Sequence, residues 1–180
     1  MRQELQDANP QPHAPMKCPR LVFLVPALLL LTPLAAPAKD VLFPEKTLPA
    51  FTFVLPDDWS SEADTSGNLI MRCPNRTTSI VIFTGVDSSD LDTLAKEALQ
   101  IAKTAPALRK EPAEISGCKG FTYFTTMTNP SGIHLNLEFT LVRTDPTHVA
   151  SVGLIMADNV AKVDETSSRL VKNGLKLRTE

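Results

Sequence analysis

Residues 133–142, IHLNLEFTLV, alternate apolar and polar side chains without a break. Side chains along a strand point to opposite faces with a period of two, so this stretch reads as a strand with one apolar side. Ile133, Leu135, Leu137, Phe139 and Leu141 share that side, and His134, Asn136, Glu138 and Thr140 share the other. Turn-forming residues bound it: Asn129-Pro130-Ser131-Gly132 before and Thr144-Asp145-Pro146-Thr147 after. GFTYFTTMT leads into the first turn and HVASVGLIM leaves the second. Strands joined by turns this short are antiparallel neighbours. The C-terminal half of the chain is thereby committed to an antiparallel sheet.

The rest of the chain adds to it. FTFVLP is a short strand ended by Pro56, and Asn68 to Cys73 (NLIMRC) is a second. TSIVIFTGV is continuously apolar from Ile80 to Phe83, the pattern of a central strand covered on both faces. Leu91, Leu94, Ala95, Ala98, Ile101 and Ala102 then recur at helical spacing, with Ser89 and Asp92 placed as a capping box and Pro106 just beyond the end. LRKEPAEI is polar and suits a sheet edge. A last helix is expected over Asn159 to Asn173, with Val160, Val163, Leu170 and Val171 inward and Gly174 as its stop. The order is three strands, a helix, four strands, a helix. This is α+β: an antiparallel sheet of six or seven strands with two helices packed on it.

The first 38 residues stand apart. Lys17 and Arg20 precede an apolar run from Leu21 to Leu34, and Ala36-Pro37-Ala38 supplies small residues. That is the layout of a secretory signal peptide cut after Ala38, with Met16 as the start that gives the better leader. The run is shorter than the roughly 20 residues a spanning helix needs, so no transmembrane anchor is expected after cleavage. Cys18 lies before the apolar run and Lys39 follows the cut, which argues against a lipid anchor. The expected compartment is the bacterial periplasm or the exterior. Residues 39–180 form a single domain. With a formal net charge of −2 and no basic stripe, the chain is no nucleic-acid binder.

Two cysteines follow the leader, Cys73 and Cys118. Export permits a disulfide between them, closing a loop of about 46 residues and worth roughly 4 kcal/mol on the chain-entropy model. The alternative is two unrelated buried thiols, and spacing does not choose. Asp57 and Asp58 sit in FTFVLPDDW, where short acids after a proline form a turn, and Trp59 is expected to pack against the sheet edge. Asp87, Asp90 and Asp92 lack the glycine and glutamate of a calcium loop and suit a helix N-terminus. His134 and His148 fall at opposite ends of paired strands, about 27 Å apart at roughly 3.3 Å per residue. No metal, cofactor or catalytic constellation is expected. Asn75-Arg76-Thr77 has the form of a glycosylation acceptor. The sharpest candidate is the polar face His134, Asn136, Glu138 and Thr140, a docking platform if the helices leave it uncovered.

Taken together, FTFVLPDDW, the aliphatic SIVIFTGV, the helix opening SSDLDTLAKEA and the amphipathic helix running into NGLKL resemble the PsbP-like and DcrB-like superfamily (the Mog/PsbP fold). The resemblance spans roughly Leu48 to Leu177. It implies an α/β/α sandwich, with the antiparallel sheet packed between helices. It also implies no enzymatic activity, since members serve as extrinsic photosystem subunits, binding proteins or chaperones. The expected function is an exported, non-enzymatic accessory protein that binds another protein at the cell envelope. The alternative is a binder of a small-molecule or lipid ligand in a pocket between helix and sheet.

Overall fold

The structure, a computed structural model, describes residues 38–101 and 109–180. The expected leader up to Pro37, with its apolar run and the start at Met16, lies outside the described residues, as do Ala102 and Pro106. The described residues belong to one unit, Ala35–Glu180.

Among the described residues ten strands form two sheets. Five precede the first helix: β1 (Ala38–Phe43), β2 (Ala50–Pro56), β3 (Ser60–Ala63), β4 (Leu69–Arg72) and β5 (Thr78–Val86). Helix α1 (Leu91–Ile101) follows, then β6 (Arg109–Ile115), β7 (Cys118–Thr128), β8 (His134–Arg143) and β9 (His148–Ala157). Helix α2 (Lys162–Asn173) and β10 (Lys176–Arg178) close the chain. The main sheet runs β3-β4-β5-β9-β8-β7-β6 and the small one β1-β2-β10, every pairing antiparallel. The architecture is α+β, as expected, and β6 is the edge that its polar sequence suggested. The FTFVLP strand is the difference: it leaves the main sheet and centres the small one.

Both turns of the β7–β8–β9 meander close as their residues demand. The Asn129 Oδ1 accepts from the backbone N–H of Ser131 and Ile133, and Gly132 takes φ +79°. Asp145 Oδ1 accepts from the N–H of Thr147 and His148.

The larger core lies on one face of the main sheet. Ile80 and Ile82 of β5, Val142 of β8 and Ala150, Val152, Leu154 and Met156 of β9 meet Val171 of α2 and Phe51, Phe53, Leu55 and Leu177 of the small sheet. Trp59 is buried in this core, while Asp57 and Asp58 stay exposed in the turn before it. Those two aspartates are a turn, closed by the Trp59 N–H on the Pro56 carbonyl. A smaller cluster on the opposite face joins α1 to β7 and β8 through Ala95, Tyr123 and Leu141.

Helix α2 buries only half of the stripe its sequence suggested: Val171 is in the larger core and Val160 packs against it, but the other two turn outward. Val163 and Leu170 are 71% and 69% exposed, and the buried positions are Asp164, Ser168 and Val171. The polar pair is inward because it has partners there. Asn75 Nδ2 and Thr77 Oγ1 both donate to Asp164 Oδ2 at 3.1 Å, and Ser168 Oγ lies 2.5 Å from Thr78 Oγ1. A buried polar group that is hydrogen-bonded is tolerated, and these bonds tie α2 to the β4–β5 turn. The Asn75-Arg76-Thr77 tripeptide is thus a structural turn, with Arg76 at φ +56°.

The expected Cys73–Cys118 bridge is absent, and both residues are free thiols. Sheet order explains why. Cys73 follows β4 and Cys118 opens β7, four strand spacings apart, or about 19 Å along the sheet. They also lie toward opposite ends of the strands: β7 meets Val142 of β8 near Cys118, whereas Cys73 adjoins Thr78, whose strand partner is Met156. A disulfide needs Cα atoms about 4.4–6.8 Å apart. Burial alone would raise the Cys73 thiol, but hydrogen bonds from Thr78 and Thr77 hold it below its ordinary value. Burial and the nearby Glu114 charge push Cys118 up.

Candidate functional site

The second face of the main sheet is only partly covered, and there the chain builds a groove. Val152 and Val142 point to the larger core, so the odd-numbered residues of β8 and β9, on the other side of the pleat, face α1. The floor is Val81 and Phe83 from β5, Val149, Ser151, Gly153 and Ile155 from β9, and Leu137, Phe139 and Leu141 from β8. Leu94, Glu97 and Ala98 of α1 overhang one side. Ser66 and Asn68 of the β3–β4 turn bound the other. The groove's volume is about 530 Å³, within the range of about 300–1,000 Å³ typical of small-ligand sites.

The groove's geometry depends on how α1 is held. Asp90 caps the helix, accepting from the Thr93 N–H at 2.9 Å and the Thr93 hydroxyl at 2.6 Å. The capping box read at Ser89 and Asp92 is therefore displaced by one residue, because Asp92 is otherwise engaged. Its carboxylate accepts from Lys110 Nζ at 2.7 Å and from the Tyr123 hydroxyl at 2.7 Å, which hold it below the usual carboxylate range. Arg143 donates to the carbonyls of Asp87 (2.6 Å) and Ser89, fixing the loop that enters the helix. The three aspartates thus serve the helix start. On the far wall, Asp64 accepts from the N–H groups of Ser66 and Asn68 and from the Asn68 amide, so the rim is built as firmly as the roof.

Tyr123 joins roof and floor. It is 1% exposed, stacks on Phe139 at 5.2 Å between ring centroids, and meets Phe121 edge-on at 6.4 Å. Burial and the Asp92 charge push its phenol far above the ordinary tyrosine value, so it stays a neutral donor. Tyr123→Phe removes one hydrogen bond and leaves Asp92 its lysine. The expected loss is about 1 kcal/mol in urea unfolding, with the rings still stacked.

The polar face of β8 turns out differently from its expectation. His134 and Asn136 are exposed, Glu138 is mostly covered and Thr140 is buried. Thr140 bonds the Thr122 hydroxyl at 2.8 Å. Glu138 takes Lys172 and Arg169 of α2, the latter at 3.2 Å. Burial would raise the Glu138 carboxyl, but the hydrogen bonds and charges of Lys172 and then Arg169 hold it below its ordinary value. The four-residue platform is thus halved by α2. What stays open is a polar cleft of about 590 Å³ beside that helix, where Asn136 donates to Asp158 at 2.7 Å and the Arg109 guanidinium lies 4.0 Å over the Phe124 ring. His134 and His148 lie at opposite ends of the β8–β9 pair, as expected.

No family model matches the sequence, and no curated protein matches it. Solved structures do. The solution structure of cyanobacterial PsbP (CyanoP) from Synechocystis sp. PCC 6803 aligns with a TM-score of 0.55 at 12% identity, over 79% of this chain and 94% of that one. The fold is PsbP-like. LpqN of Mycobacterium tuberculosis, described as involved in cell envelope biogenesis, aligns at 0.51 and 13% identity over 78% and 90%. A protein of Bacteroides thetaiotaomicron VPI-5482 aligns at 0.48 and 14% identity over 72% of this chain, which spans 46% of its length. The resemblance read from FTFVLPDDW and NGLKL is thus matched by a PsbP-like arrangement of strands. Among the described residues no helix is long and apolar enough to cross a membrane.

A pocket between helix and sheet is among the expectations above, but the residues that line it were not named. Its signal was Gly153, a lone glycine inside the strand HVASVGLIM. Such a glycine marks a bulge or a close approach of a ligand or another backbone.

Proposed function

We propose that the protein is an exported, non-enzymatic accessory protein of the cell envelope that holds an apolar small molecule or lipid in the groove between α1 and the sheet. One observation carries this reading: a concave, mainly apolar cavity of about 530 Å³ whose walls are fixed by Asp90, Asp92, Arg143 and Asp64. A wall held this way stays open without a ligand, and a preorganised site binds at lower cost. Export rests on the leader at residues 1–38. Placement at the envelope draws support from the description of LpqN.

The polar cleft beside α2 favours a second reading, docking of an envelope protein partner. An aromatic ring with an arginine stacked on it, set in a polar rim, has the composition of an interaction hot spot. Native mass spectrometry of the mature protein from its host's envelope fraction separates the two. A small-molecule adduct is the expected result. A bound protein, lost in the Arg109→Ala plus Asn136→Ala variant, whose two residues both line the cleft, would transfer the function there.

A further inference from the structure

Gly153 lies mid-strand at the centre of the groove floor, opposite Val81 on one side and Phe139 on the other. Nothing in its backbone demands glycine. Its φ is not positive, and a Cβ built there would come no nearer than 3.6 Å to any atom, ordinary van der Waals contact. A glycine inside a strand weakens it, because it loses more backbone entropy than other residues and contributes no side chain to packing. The chain accepts that weakening where a side chain would project into the groove. Gly85 differs: a Cβ there would lie 2.3 Å from the tip of the Phe83 ring, so that notch is already filled by the protein. Gly153 is the notch left open.

The groove's shape and charge narrow what could lie in it. Along β9 the floor runs from Val149 to Ile155, about 20 Å at roughly 3.3 Å per residue. It is therefore long, and it is flanked by single strands on each side. Among its lining residues the charged side chains are acidic, and none is lysine or arginine. A carboxylate, phosphate or sulfate would find no cation there, and burying such a group unpaired is costly. We infer that Gly153 seats the alkyl chain of a single-chain amphiphile whose head carries no negative charge. This rests on the groove being the binding site.

The test is displacement of the fluorescent probe N-phenyl-1-naphthylamine from the mature protein by three ten-carbon ligands below their micellar concentrations: 1-decanol, decyltrimethylammonium and decanoate. The wild type should take the alcohol and the ammonium at least tenfold more tightly than the carboxylate. Gly153→Leu should weaken decanol at least tenfold without lowering the melting temperature. Gly153→Ala, whose methyl has room, should weaken it less and melt no lower than wild type, which keeps the test decisive if the leucine variant fails to fold. Equal affinity of wild type and Gly153→Leu for decanol, or decanoate binding as tightly as decanol, overturns the inference and leaves the groove reading standing. A wild type that takes neither the probe nor any of the three ligands overturns both.

Discussion

Gly120→Ala will destabilise the protein by about 3–5 kcal/mol, at the upper end for one added methyl group. Gly120 is on β7, paired with Val142 of β8 and Ala113 of β6. A Cβ there would lie 1.9 Å from the Leu141 carbonyl oxygen and 2.8 Å from the Val142 Cα. These are backbone atoms of the neighbouring strand, so no rotamer change relieves the overlap, and β7 and β8 must separate or slip. A one-residue slip would turn every side chain of the strand to the wrong face. The intrinsic benefit of alanine over glycine in a strand, roughly 0.5–1 kcal/mol, is far too small to compensate. Gly153→Ala is the control, two strands away in the same sheet. It has room for its methyl and is expected to gain about 0.5–1 kcal/mol. Urea unfolding of the two variants should therefore move in opposite directions. A Gly120 variant within about 1 kcal/mol of wild type would mean that β7 and β8 do not approach as described.

This pair also shows which parts of the fold the sequence could express. The β7–β8–β9 meander was legible because its alternation and its Asn129–Gly132 and Thr144–Thr147 turns point to the same hairpins. Helix α1 was legible from its stripe, although Asp90 caps it in place of Ser89. Strands β3 and β10 were not legible. SSEA is exposed throughout and pairs through its backbone, while KLR buries a single leucine, so neither carries a periodic signal.

The face of β8 was misread for a more instructive reason. Alternation identifies two faces and does not say what covers each. An apolar stripe such as Leu135 to Leu141 reads as the side that packs on the main core, yet the larger core lies behind Thr140 and Val142. The apolar side became the groove floor, where Leu137 and Phe139 stay partly exposed beneath α1. A pattern that normally means burial here marks the candidate site. Val163 and Leu170 show the converse, two apolar residues turned to solvent because Asp164 and Ser168 had buried partners across the helix. The free thiols follow the same logic, since cysteine spacing carries no information on strand order.

Lys172→Met will cost about 2–4 kcal/mol at neutral pH, because it leaves the Glu138 carboxylate with one partner in a site only 15% exposed. Removing one member of a covered pair strands the other's charge, which is worse than never having had the pair. Arg169 stays as a second cation at 3.2 Å but is itself shared with Glu165, so it compensates only in part. The pH dependence checks the cause. The folded Glu138 carboxyl titrates below its unfolded value of about 4.3. Its contribution is thus fully present above that pH and is lost as pH falls through the folded value. With Lys172 gone, the carboxyl loses the larger of its two stabilising partners and titrates higher than in the wild type, so the variant should gain relative to wild type on acidification. The deficit measured by urea unfolding at pH 7 should shrink steadily between about pH 5 and pH 3. Glu138→Leu combined with Lys172→Met should recover most of the loss, since an apolar pair of similar volume has no stranded charge. A deficit that stays constant with pH, with no recovery in the double variant, would assign the effect to packing of the lysine stem.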